Sequence, residues 1–408
     1  MGYELLSKLY YKDTNKYATE YEKRLYSYGT IRLPFQLKPY KNKEEFVSFY
    51  VNHPELDILH DQISKQSNRI QSIVNQLPPI AVQQYIRAKL VDELLSTNEI
   101  EGVRSTKAEM ETVLEIVVRQ ESSRKHKARH LSLMKSYAAL LTETQTTLER
   151  IEQIRSIYNH LVQEETEPED QLDGELFRKQ PVDVVTQTNK VVHRGVHPEE
   201  SIKTHLRNLI HYLNEHPSPM LYKIAISHYL FGYIHPFYDG NGRTSRYISS
   251  MYLLHDLDRL TALTLSYSTN KVKQAYYEAF TECGNPHNKG ELTFFCETFF
   301  HIIDKAQNEV LAELSEKRVR MESLDHMVQQ LNITDEISEN IFFILGQNYI
   351  FGIEGKGMTL KELVAATDKT EYLVRKSLDE LDQKGVLVFL KRKPIEVTLC
   401  ETAGAQLR

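Results

Sequence analysis

Hydrophobic positions recur at helical spacing over most of the chain. Between residues 55 and 76, Leu56, Leu59, Ile63, Ile70 and Ile73 fall on one face, which predicts a helix ending at Pro78-Pro79. Residues 80–98 continue as a second helix through Ile80, Val82, Tyr85, Ile86, Leu90, Leu94 and Leu95. The same pattern predicts helices over 106–120, 128–165, 199–214, 220–234, 243–256, 269–283 and 289–316. An acidic, proline-containing stretch from Glu164 to Asp173 breaks the series. Residues 176–193 differ in kind: Val182, Val184, Val185, Val191 and Val192 are β-branched. Gln187-Thr188-Asn189-Lys190 between them reads as the turn of a β-hairpin. Near the end, Leu360–Ala366 and Thr370–Lys384 read as short helices, the second closed by Gly385. Val386–Leu390 and Ile395–Leu399 then read as strands around Lys391-Arg392-Lys393-Pro394. Helix, turn, helix and hairpin in that order resemble a winged helix-turn-helix. The expected fold is mainly α, with an N-terminal helical region over 1–105, a helical domain over 106–318 and a winged-helix-like domain over 330–408.

Composition narrows the class. With 41% hydrophobic and 26% charged residues the chain is an ordinary soluble protein. A formal net charge of −6 argues against a nucleic-acid coat. Cys283, Cys296 and Cys400 are far apart and form no CxxC pair, so neither a disulfide framework nor a structural zinc site is expected, and a cytoplasmic location fits best. Met1-Gly2-Tyr3-Glu4 opens no basic-then-apolar signal segment. No stretch approaches the ~20 apolar residues that span a bilayer, so no membrane contact is expected.

The chemistry concentrates in residues 235–246, His-Pro-Phe-Tyr-Asp-Gly-Asn-Gly-Arg-Thr-Ser-Arg. The apolar 220–234 helix runs into this loop, and Pro236 biases His235 out of the helical region. Gly240 and Gly242 let a ligand approach the main chain. The next helix starts near Gly242, and Arg243 and Arg246 then share a face of its first turn. Two cations at the positive end of a helix are unfavourable unless an anion joins them. A polyphosphate answers that misfit. Asp239 beside it would repel the phosphates unless a metal bridged them, and Mg²⁺ commonly binds through one or two carboxylates plus phosphates. His235 has an unperturbed pKa near neutrality and suits a general base. Taken singly, a lone His is usually structural and Gly-Asn-Gly is usually a turn; the joint pattern is what points to function. No Lys-Ser/Thr follows the glycines, so the loop is not a Walker A loop.

The segment matches, at every defining position, the HPFx(D/E)GNGRxxR signature of the Fic (filamentation induced by cAMP) family. The resemblance covers roughly residues 90–310. It implies the Fic helical fold and protein adenylylation from Mg·ATP, although a few relatives use other phosphate donors. By position, it implies that His235 deprotonates the target hydroxyl and that Asp239 holds Mg²⁺. Gly240, Asn241 and Gly242 would cradle the anion, Arg243 would clamp the inner phosphates, Arg246 would meet the γ-phosphate, and Phe237 would pack inward. Tyr276 and Tyr277 are candidates to line the adenine pocket, although tyrosines at helical spacing are more often core.

A second constellation is Ser96-Thr97-Asn98-Glu99-Ile100-Glu101-Gly102. Alone it reads as a helix end capped by Gly102. Beside the loop it resembles the inhibitory signature of the family, matched by Thr97, Glu101 and Gly102. An empty phosphate site rich in cations favours a counter-ion, and Glu101 is expected to pair with Arg246 and so exclude or misalign the nucleotide. In some relatives the equivalent Glu also supports removal of AMP from the target. The 182–192 hairpin resembles the Fic flap, which docks an extended target segment by strand addition. The resemblance thus implies a protein partner with an acceptor hydroxyl, self-modification included, and leaves a homodimer open.

Two weaker signals remain. His126/His130 and His193/His197 have metal-capable spacing, but the first pair lies in a basic run that reads as a solvated face, and the second lacks a third ligand. The winged-helix-like region raises a rival function, a DNA-binding regulator. Residues 358–408 hold nine Lys/Arg against eight Asp/Glu, without the basic surplus usual in DNA binding, so DNA and protein contact through 330–408 both stay open.

Overall fold

The protein was analysed as a computed structural model that describes residues 3–118, 128–142, 147–162, 167–185, 190–331, 333 and 335–407. The chain divides into two compact units, Met1–Asn68 with Asp92–Gln307, and Arg69–Val91 with Asn308–Arg408. It is mainly helical, as the periodicity requires, with seven short strands among the described residues.

At the centre of the first unit is the helix Met220–Ile234, apolar on all sides and buried along almost its whole length. The helices Glu199–Glu215 and Asn241–Asp256 pack against it, and Ile151–Val162 packs on the latter. The helix Pro79–Ile100 starts with proline at its first position, where no intrahelical donor is lost. It ends in a Schellman turn: Gly102 is left-handed at φ 74°, Val103 N–H reaches Asn98 O at 2.9 Å and Gly102 N–H reaches Glu99 O at 3.2 Å.

Three boundaries differ from the sequence reading. The 128–165 segment is two helices, Leu131–Leu140 and Ile151–Val162. Thr142, Thr144, Thr146 and Thr147 lie between them, β-branched residues with poor helix propensity. The second helix is opened by the Gln153 side chain, which accepts from Glu149 N–H and Arg150 N–H at 2.7 and 2.8 Å. The 269–283 segment is likewise interrupted at Val272, giving Leu265–Lys271 and Lys273–Cys283. The helix expected from 289 starts instead at Thr293 and runs to Gln330. Residues 290–292 are engaged elsewhere: Gly290 O accepts from Phe49 N–H at 3.1 Å, and Leu292 N–H donates to Phe49 O at 2.8 Å. Phe49 belongs to an antiparallel hairpin, Thr30–Leu37 with Phe46–Val51, that the periodicity did not reveal.

The 176–193 region forms the strands Asp183–Val185 and Val191–Arg194, paired through Val184 and His193. Residues 187–189 of the expected turn over 187–190 lie outside the described residues, as do His126 and most of its basic run.

In the second unit, Glu336–Phe351, Leu360–Thr367 and Glu371–Gln383 are helices. Met358–Thr359, Ile395–Leu399 and Leu387–Arg392 form an antiparallel sheet in that spatial order. Thr359 and Glu362 form a reciprocal capping box. Leu363, Val374, Leu381 and Val397 are fully buried and make the core of this small region. Among the described residues no helix is long and apolar enough to cross a membrane.

Candidate active site

The apolar 220–234 helix ends at His235, a non-glycine residue in the left-handed region at φ 52° and ψ 62°. Such a conformation costs a side-chain-bearing residue about 1 kcal/mol or more and persists only when its surroundings impose it. The loop is closed from within. Asn241 Oδ1 accepts from Phe237 N–H at 3.0 Å, and Asn241 Nδ2 donates to Phe237 O at 2.8 Å. Phe237 is buried and stacks on Tyr158 with centroids 3.9 Å apart. The Asn241 amide is therefore engaged by the loop itself, and any part it has in holding an anion falls to its main-chain N–H.

Asn241 is the first residue of the next helix, and its N-cap is left-handed Gly240, which brings no side-chain acceptor to the opening N–H groups. A Cβ on Gly240 would lie 2.7 Å from Val162, and one on Gly242 would lie 2.2 Å from Glu101 Oε1. The Glu101 carboxylate thus rests directly on the Gly242 main chain, at the positive end of the helix.

The two arginines of this first turn are both 1% exposed. Arg243 Nη2 is 3.0 Å from Asp239 Oδ2, whose side chain stays 44% exposed at the rim. Arg246 Nη2 is 2.8 Å from Glu101 Oε1. Its Nε donates to Thr97 Oγ1 at 3.0 Å and its Nη2 to the Thr97 carbonyl at 3.1 Å. Burial opposes the Arg246 charge, but the Glu101 carboxylate overrides it and holds the guanidinium above its ordinary value. Among the described residues no partner lies within hydrogen-bond geometry of one buried nitrogen, Arg246 Nη1, which is 3.0 Å from a Cβ position on Gly242 and has the Tyr276 side chain nearby.

These features fit a phosphate: an orphaned guanidinium N–H, a glycine cradle and a helix N-terminus already covered by a carboxylate. Asp239 is the carboxylate at the rim that fits Mg²⁺ shared with phosphates. Asp170 faces it; partial burial and then the Asp239 charge push its carboxyl up, a sign of excess negative charge there.

His235 lies between the loop and the hairpin. Its Nδ1 is 3.3 Å from the Gly232 carbonyl, which assigns the proton to Nδ1 and leaves Nε2 as the acceptor. Burial, then the charges of Arg178 and His193, push its pKa down to about 3 against the pull of that carbonyl. The ring is neutral at pH 7, as a general base must be.

Tyr276 and Tyr277 diverge, because neighbours on a helix point about 100° apart. Tyr276 is 5% exposed and its hydroxyl is 2.7 Å from His228 Nε2, within the core. Tyr277 is 41% exposed, and its hydroxyl donates to the Ile100 carbonyl at 3.3 Å, beside the Glu101 helix end.

Two residues at the site escape sequence reading. Glu93 is fully buried and accepts from Ser266 N–H at 2.9 Å and Tyr267 N–H at 3.2 Å. With Thr97 and Glu101 it forms an i, i+4, i+8 row on one helix. Burial pushes its carboxyl up to about 7, opposed by these hydrogen bonds and by the Arg246 charge. The row spacing was readable; its partner was not. Arg178, fully buried beside His235, sits in an irregular segment with no periodic signal.

Solved structures show similarity of fold. A Fic family protein from Desulfovibrio desulfuricans G20 superposes with a TM-score of 0.54 at 17% identity, over 86% of this chain and 98% of that one. A Fic domain containing signaling protein from Bacteroides thetaiotaomicron VPI-5482 gives 0.45 at 17% identity, over 62% and 95%. Fic-1 from C. elegans gives 0.44 at 16% identity, over 64% and 74%. Residues 147–253, which contain the loop 235–246 and both of its buried arginines, match the Fic/DOC family model, while Glu93, Thr97 and Glu101 lie outside the matched residues.

Proposed function

We propose that this chain transfers AMP from ATP to a Ser, Thr or Tyr hydroxyl of a protein and that Glu101 restrains the reaction. The observation that carries the reading is the carboxylate of Glu101 seated between Gly242 and Arg246, where the chemistry of the loop calls for phosphate. The main-chain N–H groups of Asn241 and Gly242 and the Arg243 guanidinium hold the inner phosphates, and Arg246 holds the γ-phosphate once Glu101 leaves. Mg²⁺ bound at Asp239 would supply neutralisation of the phosphate charge. His235 Nε2 takes the proton of the acceptor hydroxyl as its oxygen bonds to the α-phosphorus, and the bond to the α,β-bridging oxygen breaks to release pyrophosphate. Preorganised charge and positioning carry the rate.

The hairpin over 182–192 suits an extended target segment, because Asp183–Val185 is a short exposed strand. A kinase-type reaction is the competing outcome. Incubation with α- and γ-labelled ATP and a cell lysate separates the two: protein label from the α-phosphate alone supports AMP transfer, and label from the γ-phosphate rejects it.

A further inference from the structure

Resting on the reading of His235 as the base, we propose that Arg178 is its positioning residue, a buried cationic clamp that fixes the left-handed main chain at His235 and so aims the imidazole. Arg178 is fully buried, and among the described residues every hydrogen-bond partner of its guanidinium is a carbonyl. Nε donates to His235 O at 2.8 Å, Nη1 to Gln180 O at 2.6 Å, and Nη2 to Val196 O at 2.9 Å and Ile234 O at 3.4 Å. Its own main-chain N–H donates to Pro236 O at 3.2 Å. One residue thus reaches three consecutive carbonyls, 234 to 236, where the preceding helix has stopped and supplies no further N–H groups; it shares Ile234 O with Val196 N–H, which donates at 3.0 Å.

The placement is costly, which argues that it is imposed for a purpose. Among the described residues no carboxylate is ion-paired with Arg178, and burial pushes its pKa down to about 10, opposed by Tyr238 and Asp173. A buried cation without a paired carboxylate is normally avoided. Here the segment that carries it is tied down on both sides. Glu199 accepts from Glu175, Leu176 and Phe177 N–H at 3.0, 2.7 and 3.0 Å. Asp173 accepts from the Tyr238 hydroxyl at 2.8 Å, and that hydroxyl accepts from Gln180 N–H at 3.1 Å. Gly195 leaves the necessary space: a Cβ there would lie 2.3 Å from Arg178 Nη2 and 2.9 Å from His235 Cβ.

The geometry also has an electrostatic effect. The groups that act on His235 are Arg178 and His193, both disfavouring a protonated ring, and the Gly232 carbonyl, which favours it. Asp183 acts on His193. Burial is the largest influence on the ring; of the two charges Arg178 is the larger, so the clamp reinforces what burial already does to keep the base unprotonated. A lysine would retain the charge but not the planar fork that reaches carbonyls on both sides.

The test uses Arg178→Met and Arg178→Lys in the full chain carrying Glu101→Gly. It measures kcat and KM for α-labelled ATP, together with the NMR titration of His235 in nucleotide-free protein, assigned through His235→Ala. Arg178→Met is expected to lower kcat ~10²-fold, the scale of a misplaced reacting group, with KM unchanged. The His235 titration should move up, while burial still holds it below its ordinary range. Arg178→Lys should keep the depressed titration yet lose most of the turnover. A folded Arg178→Met with unaltered kcat and titration overturns the proposal; if that variant does not fold, an Arg178→Lys enzyme with full turnover overturns it. Absence of transfer in Glu101→Gly itself counts against AMP transfer, not against the clamp, which the titration still decides.

Discussion

The helix Asn241–Asp256 and the region 358–407 carry the same kind of charge in opposite settings. Arg243 and Arg246 are each 1% exposed and crowd the end of a helix where the backbone is already positive. Lys361, Lys369, Arg375, Lys376, Lys384, Lys391, Arg392 and Lys393 are all exposed. Arg375 pairs with Glu371 one helical turn away at 2.7 Å, and Lys391 pairs with Glu396 across the hairpin at 2.7 Å. An exposed pair such as Arg375–Glu371 contributes up to about 1 kcal/mol and needs no functional explanation, and the Lys391 end of the second pair is exposed although Glu396 itself is buried. Buried cations at a helix N-terminus do need one, because only a bound or built-in anion makes them tolerable. Chemistry is therefore to be sought where burial and charge conflict, and the exposed cations of 358–407 present no such conflict.

The largest expected effect lies at the base. His235→Ala should lower AMP transfer by about 10² to 10⁴, the usual contribution of a positioned base, while ATP binding measured by calorimetry stays intact. Transfer at the wild-type rate would remove His235 from the chemistry and break the contrast at its most specific point.

Glu101→Gly comes next, with effects of opposite sign on activity and stability. Removing the carboxylate frees Arg246 for phosphate, so labelling from α-labelled ATP should rise, most visibly as self-modification. It also leaves a buried cation unpaired, which should lower the stability of the free protein by up to about 3–5 kcal/mol, less to the extent that Glu101 is solvated. A non-hydrolysable ATP analogue should restore more melting temperature in the variant than in the wild type. Adding Arg246→Ala should cancel the gain in labelling. A folded Glu101→Gly with no rise in labelling would reduce Glu101 to a helix-end residue.

Glu93 sharpens the comparison through pH. Its folded pKa is raised, from an ordinary value near 4.5 to about 7. The stability linked to it is therefore complete below pH 4.5 and is lost as pH rises through 7. Glu93→Gln cannot ionise and escapes that loss. Denaturant titrations should show the variant gaining on the wild type between pH 5 and 8, by on the order of 1–3 kcal/mol. A pH-independent difference would mean that Glu93 is ionised throughout.

The smallest effect is expected at the exposed end. Arg392→Ala with Lys393→Ala should change stability by no more than about 0.5 kcal/mol. If this hairpin nevertheless contacts DNA, affinity should fall steeply with salt, and the double variant should reduce the salt slope by about two. A large loss of stability would show that charge in this region is not merely solvated.

The sequence by itself determined the helical character of the chain and the composition of the loop 235–243, because both are local. Apolar spacing sets a helix face, and proline, glycine and two arginines one helical turn apart specify a helix end and its charge within a dozen residues. It also marked Glu101 as a partner for Arg246, but only through the resemblance of Thr97, Glu101 and Gly102 to a family signature; the excess of cations called for a counter-ion without saying which. Tertiary structure decided the rest. Arg178 reaches the His235 carbonyl across 57 positions of chain, and Glu93 meets Ser266 across 173. The strand Phe46–Val51 recruits Gly290 and Leu292, which delays the start of the last long helix of the first unit. Tyr276 enters the core while Tyr277 faces out, although both are tyrosines on one helix. Hydrogen bonds to main-chain carbonyls leave no imprint on side-chain periodicity, and burial depends on what the rest of the fold brings to a surface. A single sequence thus names the groups that can do the chemistry; the fold decides which of them are buried, neutral and aimed.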